Sequence, residues 1–245
     1  MIKTQIFLYL LRLHKRIPMG SNTNTGRYKR CIPSYGDAGF CAAVMDTNRD
    51  SWQRPDIVSS LITRSDMTVV DIGAGTGYFA DLFSRQLPEG KIIALDPEAS
   101  LTTWMEERKN RDSLDNVSIH QITVDDPGLD QLNDEIDLLF VGYTYFHFDD
   151  PVTYFREKIH PFIQDKTVVA IVDMAPVPGQ PRQTVSAQQV INEMAETGFQ
   201  LDAESTTLYD QYLLVFKKIS QLAIPFSLVL LLHVNLRATK NLLSE

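Results

Sequence analysis

Between Thr68 and Lys218 the chain switches repeatedly between short, unbroken apolar runs and longer stretches in which apolar residues recur at helical spacing. Runs such as Leu138-Leu139-Phe140-Val141 and Val168-Val169-Ala170-Ile171-Val172 have no polar side, the pattern of strands covered on both faces. The pattern predicts strands at Thr68–Ile72, Lys91–Asp96, Val117–Val124, Asp137–Gly142, Thr167–Asp173, Gln200–Leu208 and Tyr212–Phe216. Between them it predicts helices at Tyr78–Gln86, Leu101–Lys109, Val152–Ile163 and Ser186–Thr197. Asp150 followed by Pro151 suits a helix start, Ser186 suits an N-cap, and Gly198 suits a stop. Strand alternating with helix is the signature of an α/β sheet, mostly parallel and covered on both faces. The last two strands are joined too tightly for a crossover, so they must run antiparallel.

The ends follow other patterns. Ile6 to Leu11 is apolar and is followed by Arg12, His14, Lys15 and Arg16. That is shorter than a secretory core and lacks a small-residue cleavage site, so it reads as a basic amphipathic extension. Pro18 to Arg30, rich in Ser, Asn, Thr and Gly, reads as a linker. Leu222 to Val234 is almost purely apolar but contains Pro225, and falls short of the roughly 20 residues a bilayer span needs. It reads as a buried or interfacial helix, capable at most of weak contact with a membrane surface. The expected division is an extension and linker over 1–48, one domain over 49–218, and an apolar tail over 219–245.

Composition narrows the class. With 44% hydrophobic and 22% charged residues the chain is neither disordered nor a many-span membrane protein. Its 23 Lys and Arg against 31 Asp and Glu leave a net charge of −8, which opposes bulk binding to nucleic-acid phosphates. Two cysteines, Cys31 and Cys41, provide neither a disulfide framework nor a zinc site; they suit reduced thiols in a cytoplasmic protein, or a single disulfide in an exported one. No metal site is expected.

The chemistry concentrates where the first strand ends, at Val69-Val70-Asp71-Ile72-Gly73-Ala74-Gly75-Thr76-Gly77-Tyr78-Phe79. Glycines between a strand and a helix let the backbone turn sharply and approach a ligand closely. The spacing is Gly-x-Gly-x-Gly, whereas a dinucleotide fingerprint requires Gly-x-Gly-x-x-Gly, and position 78 is a bulky Tyr. Asp96 ends the next strand about 20 residues on, where a carboxylate can accept both hydroxyls of a ribose.

These residues resemble the class I methyltransferases that use S-adenosylmethionine. The resemblance implies a Rossmann-like, seven-stranded doubly wound sheet with an antiparallel last strand. It implies that Asp71, Gly73, Ala74, Gly75 and Gly77 form the loop beneath the methionine part and ribose of the cofactor. Asp96 would hold the ribose hydroxyls, Pro97 and Glu98 would flank the adenine, and Asp125 and Asp126 would read its amino group. A solvated turn before Pro127-Gly128 is the plainer role for that acidic pair. Arg49-Asp50-Ser51-Trp52-Gln53-Arg54-Pro55 resembles a segment of a bacterial small-molecule branch. Tyr145-Phe146-His147-Phe148 resembles that branch's Tyr-His-His-Phe, with Phe146 in place of the first His. The Asn/Asp-Pro-Pro-Tyr/Phe tetrapeptide of nucleic-acid amino methyltransferases is absent. Arsenite methylation uses several cysteines around the core, and this chain has none after Cys41.

The implied reaction is methyl transfer to a small-molecule acceptor by in-line displacement, for which alignment matters more than a dedicated base. His147 is the candidate base, because free histidine titrates near pH 6.5; packing between two Phe residues is its structural alternative. Tyr143 and Tyr145 are candidates to orient the acceptor. Trp52 and Gln53 are candidates to close over the site; the alternative is that Trp52 packs the entry helix to the sheet. Two other functions stand beside this one: a protein that binds the cofactor without transferring from it, and a nicotinamide-dependent oxidoreductase. The last draws on Tyr154-x-x-x-Lys158, whose context lacks the glycine pattern such dehydrogenases need.

Overall fold

A computed structural model describes residues 49–177, 184–205 and 210–219. The predicted extension and linker, both cysteines and the apolar run Leu222–Val234 lie outside these residues. Two short helices, α1 (Arg49–Trp52) and α2 (Pro55–Ser59), lead into the alternation foreseen from the pattern. It runs β1 (Thr68–Ile72), α3 (Tyr78–Ser84), β2 (Lys91–Asp96), α4 (Ala99–Asp112), β3 (Val117–Gln121) and β4 (Leu138–Gly142). After β4 come α5 (Pro151–Tyr154), β5 (Val168–Met174), α6 (Ala187–Glu196), β6 (Phe199–Ser205) and β7 (Gln211–Lys218).

The strands form one seven-stranded sheet in the order β3-β2-β1-β4-β5-β7-β6. All neighbours are parallel except β7, which runs antiparallel to both β5 and β6. This is the Rossmann-like α/β class expected. Successive residues of a strand face opposite sides, and the core divides accordingly. Val69, Phe79, Phe83 and Phe140 belong to one apolar cluster; Val70, Ile72, Tyr145 and Phe155 belong to the other. The chain builds outward from β1 to β3 and then returns to place β4 on β1's other side. The strand order therefore reverses between β1 and β4, and at such a reversal the loops beyond the carboxyl ends diverge and leave a crevice.

Two local outcomes depart from the pattern. The stretch expected as one helix over Val152–Ile163 is broken into α5, a π-turn at Phe155–Ile159 and a 3-10 turn at His160–Phe162. Pro161 explains the break, because it lacks an N–H and its ring crowds the carbonyl four residues back. The third strand stops at Gln121, three residues early. The caps behave as read: Asp150 accepts from Thr153 N–H at 3.0 Å and Ser186 from Gln189 N–H at 3.2 Å.

Candidate functional site

The glycine loop is held in place from below by β2. Gly73 N–H and Ala74 N–H both donate to Leu95 O, at 2.8 and 3.0 Å. Gly73, Gly75 and Gly77 all adopt positive φ, at 73°, 59° and 77°. At Gly73 a Cβ would stand 2.4 Å from Thr144 Cγ2 and Oγ1, so glycine is required there for β1's loop to pass the end of β4. Gly75 differs: a Cβ would meet only Gly73 O at 3.9 Å. The space above Gly75 is open, a cradle that a side chain would fill.

Asp96 borders that cradle and is 5% exposed. One carboxylate oxygen accepts Gly75 N–H at 2.8 Å and the other accepts Glu98 N–H at 2.9 Å. An ionised carboxylate offers about four acceptor positions, so both oxygens keep capacity for a ligand's hydroxyls. Burial pushes the Asp96 carboxyl above its ordinary value, and the two backbone donors oppose that rise. Asp71 lies deeper, 1% exposed in β1. Burial, then the charge of Asp96, pushes its pKa up to about 7, against the influence of Arg49. Its Oδ2 has no hydrogen-bond partner among the described residues. A buried polar atom left over beside an open cradle suits a site built around a polar ligand.

Arg49 is a contributor that the sequence alone did not reveal. It is buried, donates from Nε to Gln53 Oε1 at 2.6 Å and from Nη1 to Thr76 Oγ1 at 3.1 Å. Its guanidinium sits 4.4 Å from the centroid of the Tyr78 ring. Gln53 is fully buried and belongs to this entry segment, while the side chain of Trp52 lies outside those described. The signal lay in the order of residues: an Arg four positions before a Gln brings both onto one side of a helical turn.

The remaining candidates separate. Asp126 Oδ1 accepts Gly128 N–H at 2.9 Å and Oδ2 pairs with Lys158 at 2.8 Å. Asp125 is exposed beside it. Pro97 follows Asp96 and its carbonyl accepts from Gln121 Nε2 at 3.3 Å. Tyr143 stands at the end of β4 with φ 56°, its hydroxyl donating to Gln211 Oε1 at 2.5 Å and its ring stacked on Phe79. His147 is exposed at the end of the 3-10 turn Tyr145–His147, its ring 3.9 Å from that of Phe146. Tyr145 goes elsewhere. It is 1% exposed, its hydroxyl donates to Glu193 Oε2 at 2.7 Å, and burial raises its pKa far above that of a free phenol. Its ring packs on Phe148 and Phe155 in the core, which leaves it no surface toward an acceptor.

Tyr154 and Lys158 do not form a dehydrogenase couple. Tyr154 is buried, its pKa raised by burial and by Asp126 and Asp125, while Lys158 is paired to Asp126. Among the described residues no three His, Cys, Asp or Glu side chains converge as metal ligands. Nor is any described helix long and apolar enough to cross a membrane.

The profile of a family described as a methyltransferase domain matches residues 63–218, well over half of the chain. The chain belongs to this methyltransferase-domain family. A search of curated proteins found no match. Similar solved structures include a SAM-dependent methyltransferase from Aquifex aeolicus, 18% identical over 75% of this chain and 99% of that one, with a TM-score of 0.67. They also include a ribosomal protein L11 methylase from Lactobacillus delbrueckii subsp. bulgaricus, 13% identical over 69% and 79%, with a TM-score of 0.52. A third is the glycopeptide N-methyltransferase MtfA complexed with S-adenosyl-L-methionine, 11% identical over 63% and 82%, with a TM-score of 0.53. At these identities the likeness establishes the fold, and the acceptors differ from one structure to another.

Proposed function

We propose that the chain is an S-adenosylmethionine-dependent methyltransferase of the class I kind, acting on a small molecule. The observation that carries this is the pairing of Asp96 with Gly75 N–H beside a cradle open at the Gly75 Cβ position. The ligand whose chemistry this suits has a ribose to meet the carboxylate and a slender chain to cross the glycines. Bound S-adenosylmethionine would supply an activated methyl group on a sulfonium, which is the difficult part of the chemistry. Asp96 would accept the ribose hydroxyls, Gly73 to Gly77 would support the methionine part, and Pro97 and Glu98 would flank the adenine, with Asp125 and Asp126 reading its amino group. Tyr143, backed by the buried Phe79 ring, would offer aromatic surface to a cationic centre. His147, exposed on the turn after β4, would take the proton that an amine or hydroxyl acceptor must shed.

The small-molecule acceptor and the bacterial small-molecule branch rest on the acidic balance of the chain and on the Arg49–Pro55 segment. The domain assignment is 49–218 for the methyltransferase, with 1–48 and 219–245 as appendages, in a cytoplasmic protein with at most weak membrane-surface contact through the tail. Incubation of the protein and methyl-labelled S-adenosylmethionine with a cell extract tests the acceptor. Label in the acid-soluble fraction supports the reading; label confined to acid-precipitated protein or nucleic acid contradicts the small-molecule assignment. Binding without transfer to either fraction favours the alternative in which the protein only binds the cofactor, an option kept in view by Phe146 in place of histidine.

A further inference from the structure

One buried charge has no part in that reading. Asp173, the sixth residue of β5, is 0% exposed. Its partners among the described residues are backbone N–H groups. Oδ1 accepts Met174 N–H at 2.7 Å, Oδ2 accepts Phe146 N–H at 3.3 Å, and the N–H of Tyr145 also favours its ionised form. Burying a carboxylate with no cation beside it is unfavourable, so a neutral residue would serve a purely structural strand end better. What the carboxylate adds is a charge-assisted acceptor, stronger than any neutral one, aimed at the turn that carries His147.

That turn needs holding. It follows Tyr143, whose φ of 56° is a region that bulky side chains avoid. Tyr143 N–H donates to Val172 O at 2.7 Å, the residue just before Asp173, so the strained entry and the buried carboxylate share one end of β5. On the far side Tyr145 is anchored to Glu193 of α6, itself accepting Gln189 Nε2 at 2.8 Å. The turn is thus pinned through its backbone by Asp173 and through one side chain by Glu193.

We propose that Asp173 is a positioning residue for the acceptor side of the site: it fixes the Tyr145–His147 turn and, through it, the places of Tyr143 and His147. The proposal rests on the methyltransferase reading for the site it serves. Burial pushes the Asp173 carboxyl up to about 7, so its charge changes within an accessible pH range. Among the described residues the titratable groups around it are Tyr212 of β7, which feels its charge, and Tyr145 in the turn, with Glu193 of α6 beyond the two tyrosines. Both tyrosines are shifted upward by burial and keep their protons across that range.

The test follows backbone amide signals of the full-length protein by nuclear magnetic resonance from pH 5.5 to 8.5, with S-adenosylhomocysteine affinity measured alongside. In the wild type and in His147→Asn, which removes the imidazole's own titration from the turn, the amides of Phe146, Tyr143 and position 147 should shift together with one midpoint near neutrality. In Asp173→Asn that shared midpoint should vanish while S-adenosylhomocysteine binds within twofold of wild type. An Asp173 that merely stabilised the strand would leave Tyr143 and His147 unmoved, and that result, with normal ligand binding, overturns the proposal alone. Absence of S-adenosylhomocysteine binding by the wild type overturns it together with the methyltransferase reading. Where Asp173→Asn fails to fold, the other two sources of such a midpoint decide the matter: a shared midpoint that survives both His147→Asn and Asp71→Asn supports the proposal, and one lost in either overturns it.

Discussion

Replacing Gly75 with alanine should separate binding from folding more cleanly than any other change at the glycine loop. Gly75 has a φ of 59°, and an alanine held in that left-handed region costs about 1–2 kcal/mol. The added methyl finds no atom nearer than 3.9 Å, so no steric term should be added. Gly75→Ala should therefore fold, with stability lowered by about 1–2 kcal/mol in chemical denaturation. Its methyl would nonetheless stand in the cradle beside Asp96. A ligand pushed outward by that methyl loses its closest approach to the loop, and S-adenosylhomocysteine affinity should fall by about ten- to a hundredfold, or about 1.4–2.8 kcal/mol. Gly73→Ala makes the control. Its methyl would stand 2.4 Å from two Thr144 atoms and 2.9 Å from Thr144 Cβ, where no flexible side-chain end can swing away. Overpacking of that kind costs about 1–3 kcal/mol beyond the backbone term. Gly73→Ala should thus be the less stable variant and Gly75→Ala the weaker binder per unit of lost stability. Full affinity in a folded Gly75→Ala protein, or a Gly73→Ala protein more stable than Gly75→Ala, would refute the assignment of the cradle.

Three other outcomes follow from the site. Asp96→Ala should weaken S-adenosylhomocysteine binding by about 1.5–3 kcal/mol, the usual loss for hydrogen bonds to a charged group, and calorimetry showing equal affinity in a folded variant would remove Asp96 from the ligand site. Asp71 and Asp173 are both pushed up to about 7, above the unfolded value of 3.8, so the folded state holds protons that the unfolded state releases. The contribution of these two groups is full below about pH 4 and is lost as pH rises from there through about 7, and Asp71→Asn should lessen the loss between pH 5 and 7 relative to wild type; equal slopes for wild type and a folded Asp71→Asn over that interval contradict this. Tyr145→Phe should lower stability by about 1–3 kcal/mol through loss of the Glu193 hydrogen bond while leaving S-adenosylhomocysteine affinity unchanged, and a selective loss of binding would return Tyr145 to the site.

Much of the sheet was legible because burial on both faces writes itself as apolar runs. Thr68–Ile72 and Lys91–Asp96 form strands with the boundaries read from the pattern. The antiparallel finish followed from the short turn before Tyr212, since loop length restricts topology directly. The stretch after Pro151 was misread as one helix because amphipathic spacing outweighed Pro161, whose effect is confined to the turn before it. At the site, the glycine loop and Asp96 were visible because each depends on local chemistry at a strand end. Asp173 was not: an acid ending an apolar run looks like any strand terminus, and only the fold shows that the turn after β4 lies over it. Arg49 was hidden likewise, since its contact with Thr76 spans 27 residues. Tyr145 was assigned to the acceptor by its place in a motif, whereas its burial is a matter of which side of the turn it faces.

Calorimetric titration of the purified protein with S-adenosylhomocysteine, with NAD as the control ligand, tests the central claim most directly. The demethylated product reports on the cradle without turnover. The account predicts micromolar binding of S-adenosylhomocysteine and none of NAD. A folded protein that binds NAD alone, or neither ligand, contradicts it.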